Sequence, residues 1–70
     1  MPLNLAQQGK EVKVLKVFAD DKTKRHLENL GILSGAEIVP LSESNGNIII
    51  KVHDSRLAIN AQLAMKIFVA

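Results

Sequence analysis

The chain has 70 residues, a net charge of +2 and no cysteine. This length allows one small domain, residues 1–70, and the absence of cysteine excludes disulfides, zinc ribbons and thiol catalysis. The apolar runs are far shorter than the ~20 residues that a spanning helix needs, and no secretory leader opens the chain, so we expect a soluble, cytoplasmic protein. Because acidic and basic residues are interspersed, we expect no strong electrostatic field.

The first two predicted elements are an edge segment and a strand. Leu3 and Leu5 alternate within residues 1–9, which predicts an edge segment that packs both leucines. Residues 11–18 are rich in β-branched side chains and predict a strand. Their apolar positions change parity near Val14, which indicates a bulge or a strong bend there.

The clearest helix signal follows this strand. Asp20 and Asp21 can accept hydrogen bonds from the first-turn amides of a helix that begins near Lys22. The residues expected on its packing face are Thr23, Leu27 and Leu30. Gly31 ends the helix, because glycine takes a positive φ at little cost. The helix is only about nine residues long, so tertiary packing must stabilise it.

A glycine turn and a hairpin come next. Ser34-Gly35 predicts a turn, from which a strand over residues 36–43 leaves. Pro40 lacks an amide donor, so it marks an edge or a bend of that strand. Residues 44–47 contain Asn-Gly, which predicts a hairpin to a strand over residues 48–54. The residues of this strand expected to face the core are Ile48, Ile50 and Val52, and those expected to face outward are Ile49, Lys51 and His53.

The closing elements are a strand, a helical turn and a last strand. Asp54-Ser55 predicts a tight connection, after which Leu57 and Ile59 face inward. Asn60 can cap a single helical turn. That turn spans residues 61–65, and the last strand contains Ile67 and Val69. About five short strands, with one short α-helix between the first two main strands, predict a mainly β fold: a small, partly open barrel.

The pattern of motifs resembles one known family. The segment L-G-I-L-S-G-A-E-I, residues 30–38, follows a basic, leucine-containing helix and looks like the hallmark of the FeoA family, ferrous iron transport protein A. The resemblance also includes the opening P-L-x-L with Gly9 and the closing R-L-A-I of residues 56–59. The sequence departs from the family at three residues, with Ser34 where proline is usual, and Ser55 and Asn60 where glycine and arginine are commoner.

The resemblance implies a fold and a role. FeoA-like domains are SH3-like barrels, and the family acts in bacterial ferrous iron uptake. The chain would be an accessory protein that docks on the cytoplasmic GTPase domain of the membrane transporter FeoB, without binding nucleotide or carrying iron itself. It could then be peripheral at the inner face of the membrane, without inserting into it. Homo-oligomerisation stays open.

The helix and glycine turn are the predicted contact surface for this partner. The residues expected to contact it are Arg25, Leu27, Leu30 and Ile32. Leu27 and Leu30 also suit the core, and we favour core packing for both. Ile32 and Leu33 are not expected to be buried together in one turn, and Ile49 and Phe68 should be partly exposed.

No catalytic or cofactor-binding residue is predicted. The sequence has no nucleophile elbow, and its glycines do not form a phosphate-binding loop. His26, Glu28 and His53 are ligand types that iron or zinc accepts. However, His26 and Glu28 are two residues apart on a helix and point in different directions. We therefore predict no metal site and favour surface histidines, although weak metal binding stays open.

The sequence also bears on two further classes of partner. The helix carries basic residues, but acidic residues offset them and no tyrosine or tryptophan is present to stack on a base, so we predict no nucleic-acid partner. Iron-dependent repressors have a similar SH3-like domain at their C-terminal end. The alternative hypothesis is thus a free-standing, metal-responsive regulatory domain, which would need a separate winged-helix chain to bind DNA.

Overall fold

The computed structural model describes all residues, 1–70, as a five-stranded antiparallel sheet with short helices. After a 3-10 turn at Leu3–Leu5, the elements are β1 (Val12–Val17), α1 (Asp21–Asn29), β2 (Glu37–Ser44), β3 (Asn47–Val52), β4 (Ser55–Asn60), α2 (Ala61–Ala64) and β5 (Ile67–Val69). The strand order is β4-β3-β2-β1-β5, so α1 connects the first two strands and α2 connects the two outer ones. The predicted mainly β fold is confirmed. No helix is both long and apolar enough to cross a membrane.

The sheet is curled by two irregularities. The β1–β5 register shifts between Val14 and Lys16, which leaves Leu15 as the extra residue. The β2–β3 register shifts between Pro40 and Ser42, beside the residue that has no amide to donate. Bulges bend a strand and increase its twist, which lets a small sheet close around a core. The predictions of a bulge near Val14 and a bend at Pro40 are both confirmed.

The curled sheet encloses a single apolar core. Fourteen buried hydrophobic residues form one cluster, to which every strand and both helices contribute. In β3 the inward and outward positions alternate as predicted. Ile49 and Phe68 are partly exposed, also as predicted.

The two hairpin turns differ in how well the sequence predicts them. Asn45-Gly46 joins β2 to β3 with φ angles of 51° and 78°, as the Asn-Gly pair indicates. The β3–β4 turn is His53-Asp54, one residue earlier than predicted, because Val52 pairs with Ser55. His53 takes a φ of 56°, which is uncommon for a residue other than glycine.

Both helices begin at side-chain caps. Oδ1 of Asp20 accepts a hydrogen bond from the Thr23 amide at 2.8 Å. Oδ1 of Asn60 accepts one from the Leu63 amide, also at 2.8 Å. The two predicted caps are confirmed, and α1 begins at Asp21, one residue earlier than expected.

The opening segment corrects a prediction. Leu3 and Leu5 were expected to pack together at a sheet edge, but they lie in a 3-10 turn. A 3-10 helix has three residues per turn, so side chains two residues apart point in different directions. Leu3 is buried, whereas Leu5 is 67% exposed.

The two ends of the chain meet at β5, because Met1 pairs with this strand and Ala70 directly follows it. The Met1 amino group donates to the Val69 carbonyl at 2.9 Å, and the Val69 amide donates to the Met1 carbonyl at 2.8 Å. The last residue, Ala70, exchanges a similar pair of bonds with Lys13. The N-terminal residues therefore extend the sheet next to β5, on the side away from β1.

Candidate functional site

The candidate site is built around the end of α1. Gly31 follows the helix with a φ of 94° and donates its amide to the Glu28 carbonyl at 3.0 Å. The next amide, that of Ile32, donates to the Leu27 carbonyl at 2.9 Å. These two bonds form a Schellman motif, which turns the chain back over the helix. Ile32 is thereby returned to the core together with Leu27.

This geometry corrects the predicted contact surface. Leu27 and Ile32 are 0% exposed, so neither side chain can touch a partner in this fold. Both are core residues because the motif closes the helix end over them. Leu30 is partly exposed, and Arg25 is exposed. Arg25 lies two residues from Leu27, about 200° around the helix, and so faces away from the core.

The glycine turn presents apolar side chains that the predicted set lacked. Leu33 is 44% exposed while Ile32 is buried, which confirms that the turn does not bury both. Oγ of Ser34 donates to the Leu15 carbonyl at 2.9 Å, so the turn that carries Leu33 is attached to the bulge of β1. Leu15 is 51% exposed at that bulge. The change of parity in the sequence near Val14 was the signal that could have identified Leu15.

A cleft of about 260 Å³ lies between α1, the end of β1 and the glycine turn. Its apolar lining includes Val17, Ile32 and Leu33, and its charged lining comprises Lys16, Lys24 and Glu28. Lys24 and Glu28 are four residues apart and therefore share one side of α1. This cleft, hereafter the lysine cleft, was not predicted.

Two aromatic residues support one wall of the lysine cleft. The Lys16 ammonium lies 4.8 Å from the centroid of the Phe18 ring, within the range of a cation–π interaction. The Phe18 ring packs edge-on against Phe68, with centroids 5.1 Å apart. The Lys16 ammonium therefore lies over the Phe18 ring at the end of β1.

A second cleft, of about 440 Å³, lies near the β1–β2 pair and is lined by residues that include Glu11, Glu37, Lys51 and His53. A hydrogen bond to Glu37, and then the negative charge of Glu37, raise the pKa of Glu11. Of the candidate ligands, His53 lines this cleft and Glu28 lines the lysine cleft. No three acidic or histidine side chains come close enough together to hold a metal ion.

Comparison with known proteins identifies the family. A model described as the FeoA domain matches residues 1–70. The chain belongs to the FeoA domain family. A relative from Methanocaldococcus jannaschii, named "Putative Fe(2+) transport protein A", is 38% identical over 68 residues, which are 97% of this chain and 83% of that protein. The resemblance stated from the sequence motifs is thus confirmed.

Solved structures agree with this FeoA assignment. The crystal structure of an iron uptake regulatory protein (FeoA) superposes with a TM-score of 0.88 at 28% identity, covering 99% of this chain and 93% of that one. A manganese-dependent transcriptional repressor superposes with a TM-score of 0.87 at 19% identity, over 100% of this chain and 40% of its own. The second likeness shows the fold alone, and the SH3-like fold is confirmed.

Proposed function

We propose that this FeoA-family chain is an accessory protein of ferrous iron uptake. The observation that carries the proposal is the 38% identity to the relative named "Putative Fe(2+) transport protein A", which extends over 97% of the chain. In this role the chain acts on the cytoplasmic side and docks on the GTP-hydrolysing domain of a FeoB-type transporter. Its contribution is a binding surface, and it neither binds nucleotide nor carries iron.

The docking surface in this proposal is the outer side of α1 with the glycine turn. Arg25 faces away from the core, and Leu30 is partly exposed at the C-terminal end of the same helix. Leu33 adds an apolar side chain on the turn. Leu27 and Ile32 support the surface from beneath, since they anchor the helix end to the core. Grouped apolar side chains with a charged residue at the edge are typical of transient protein interfaces.

The test uses the purified chain and the cytoplasmic domain of the transporter. Binding is measured by calorimetry without nucleotide, with GDP and with a non-hydrolysable GTP analogue, and GTP hydrolysis is measured in parallel. We expect saturable binding in at least one nucleotide state. Arg25→Glu should weaken binding, whereas Lys10→Glu, a charge reversal at another exposed residue, should not. The absence of both binding and a change in hydrolysis in every state would exclude the proposal.

A second proposal is favoured by the fold shared with the manganese-dependent repressor. In it, the chain is a metal-responsive regulatory module that acts with a separate DNA-binding chain. Anaerobic titration calorimetry with ferrous iron and a DNA mobility shift distinguish the two proposals. Iron binding by the monomer at about micromolar affinity or tighter favours the regulatory module. Transporter binding without iron binding favours the accessory role.

A further inference from the structure

The lysine cleft has the size and chemistry of a recognition site. We propose that it binds a segment of a partner protein in which one apolar side chain is flanked by carboxylates. The identity of that partner rests on the proposed function, since the transporter domain would supply the segment. The chemistry of the segment follows from the cleft itself.

The size of the cleft indicates a side chain as its occupant. Small-molecule and cofactor sites usually enclose roughly 300–1,000 Å³, and this cleft encloses about 260 Å³. Val17 and Ile32 lie behind the cleft as buried core residues, so the core holds its floor in place. Ile32 is fully buried, so an occupant would meet Leu33 and the small exposed part of Val17. Leu33 forms an apolar wall that is partly open to solvent. One leucine-sized side chain suits such a space.

The charges of the cleft select acidic flanks. The charged lining consists of two lysines, Lys16 and Lys24, and one carboxylate, that of Glu28, so its net charge is positive. Neither lysine takes part in a side-chain hydrogen bond of the structure. The Lys16 ammonium lies over the Phe18 ring, and its N–H groups can still donate to a carboxylate. A carboxylate on either side of the apolar residue would lie near charge of the opposite sign. Such complementarity speeds association and fixes the position of the segment in the cleft.

The surroundings of the cleft favour a protein over a nucleic acid. Three of the six large hydrophobic side chains that are exposed in the whole chain lie at the bulge, at the end of β1 and on the glycine turn: Leu15, Phe18 and Leu33. Covering apolar surface of this kind with a protein segment lowers the free energy of the system, because water is removed from that surface. The two lysines would also attract a phosphate backbone, but that backbone would meet the Glu28 carboxylate and would leave the three apolar side chains uncovered.

The first experiment needs no transporter. The ¹⁵N-labelled chain is titrated with three short peptides: leucine flanked by glutamates, leucine flanked by lysines, and glycine flanked by glutamates. We expect amide shifts at Lys16, Lys24 and Leu33 with the first peptide only. The absence of shifts at millimolar concentration would overturn the inference. Equal shifts with the lysine-flanked peptide would overturn it too, because the charge of the cleft would then not distinguish acidic from basic peptides.

The second experiment uses variants of the cleft against the transporter domain. Lys24→Glu should weaken binding about fivefold or more, and Glu28→Gln should tighten it, because the two changes move the charge of the cleft in opposite directions. Leu33→Ser should weaken binding through lost apolar contact. Matched controls are Lys10→Glu and Leu5→Ser, which change exposed residues outside the cleft. Circular dichroism verifies that every variant is folded.

The outcomes separate this inference from the proposed function. If the unmodified chain binds the transporter domain and the cleft variants bind equally well, the cleft inference is wrong while the proposed function stands. If the unmodified chain neither binds the domain nor changes its GTP hydrolysis, but the acidic leucine peptide still shifts the cleft amides, the proposed function is wrong and the inference stands.

Discussion

Gly31 lies directly against the imidazole ring of His53. A Cβ at Gly31 would be 3.3 Å from Cδ2 of that ring and 3.0 Å from Cγ1 of Val52. The end of α1 can therefore approach the β3–β4 hairpin this closely only because residue 31 has no side chain. Since the lysine cleft lies between α1 and β1, the position of its helical wall depends on this contact.

Replacing Gly31 should destabilise the fold for two reasons. In Gly31→Ala, the new Cβ would contact Val52, whose buried side chain has little room to move. Alanine would also hold a φ of 94°, where L-residues are strained. We expect a loss of about 2–4 kcal/mol in the free energy of unfolding, measured by urea denaturation, as the sum of backbone strain and overpacking.

Gly35→Ala provides the matched control for this prediction. Gly35 has a similar φ of 91°, but a Cβ there would have no neighbour within 4 Å. The variant should lose only the strain contribution, about 1–2 kcal/mol. Equal losses in the two variants would contradict the role assigned to the contact between Gly31 and the β3–β4 hairpin.

Leu27 and Arg25 should affect partner binding by different routes. Leu27→Ala removes the one buried side chain of α1 and should lower the free energy of unfolding by about 2–5 kcal/mol. That loss is comparable to the total stability of a domain this small, so much of the protein should unfold. Arg25→Ala should leave the urea midpoint unchanged and weaken binding. A stable, folded Leu27→Ala variant that fails to bind would contradict this assignment.

Asp20 should stabilise the fold in a pH-dependent way. The pKa of Asp20 is lowered most by a hydrogen bond from the side chain of Thr23, and next by one from the Thr23 amide. Because the folded-state pKa is the lower one, the contribution is present above the unfolded-state value of about 3.9 and is lost as the pH falls through the folded-state pKa. The urea midpoint of the unmodified chain should exceed that of Asp20→Asn at neutral pH, and the difference should vanish in strong acid.

Asp21→Asn serves as the control for the cap. Asp21 lies in the first turn of α1, but the capping hydrogen bond belongs to Asp20. This variant should retain the acid-sensitive contribution of Asp20. If Asp21→Asn abolished that pH dependence and Asp20→Asn did not, the assignment of the cap would be wrong.

Glu11 should have the opposite pH dependence. Its pKa is raised by the hydrogen bond to Glu37 and then by the charge of Glu37. Its favourable contribution is therefore complete below the unfolded-state value of about 4.3 and is lost as the pH rises through the folded-state pKa. Glu11→Gln should raise the urea midpoint at neutral pH, with no such gain in acid. Glu43→Gln, at another exposed glutamate, should produce no such change.

Local hydrogen-bond chemistry explains which elements the sequence predicts well. Asn45-Gly46 specifies its hairpin because both residues tolerate positive φ, and Asp20 and Asn60 specify helix starts because their side chains reach amides three residues ahead. The turn at His53 was displaced by one residue because strand register overrode local preference there. The 3-10 turn at Leu3 was missed, since two alternating leucines do not distinguish it from a strand.

The site was harder to predict than the fold. Lys16 and Lys24 lie on different elements, and they line the same cleft only because α1 lies close to the end of β1. Gly31 identifies the end of the helix in the sequence, but nothing in the sequence reveals that Val52 and His53 are its neighbours. Ile32 was misjudged because the Schellman motif, and not the spacing of apolar residues, returns it to the core.

The pairing of Met1 with Val69 makes the molecule a good candidate for circular permutation. A short flexible linker could join Ala70 to Met1 with little loop-closure entropy, and the chain could be reopened between Asn45 and Gly46 in an exposed turn. The sheet would keep its strand order while the sequence order of its elements changed. Such a permutant would leave both α1 and the lysine cleft intact, with new ends available for labels.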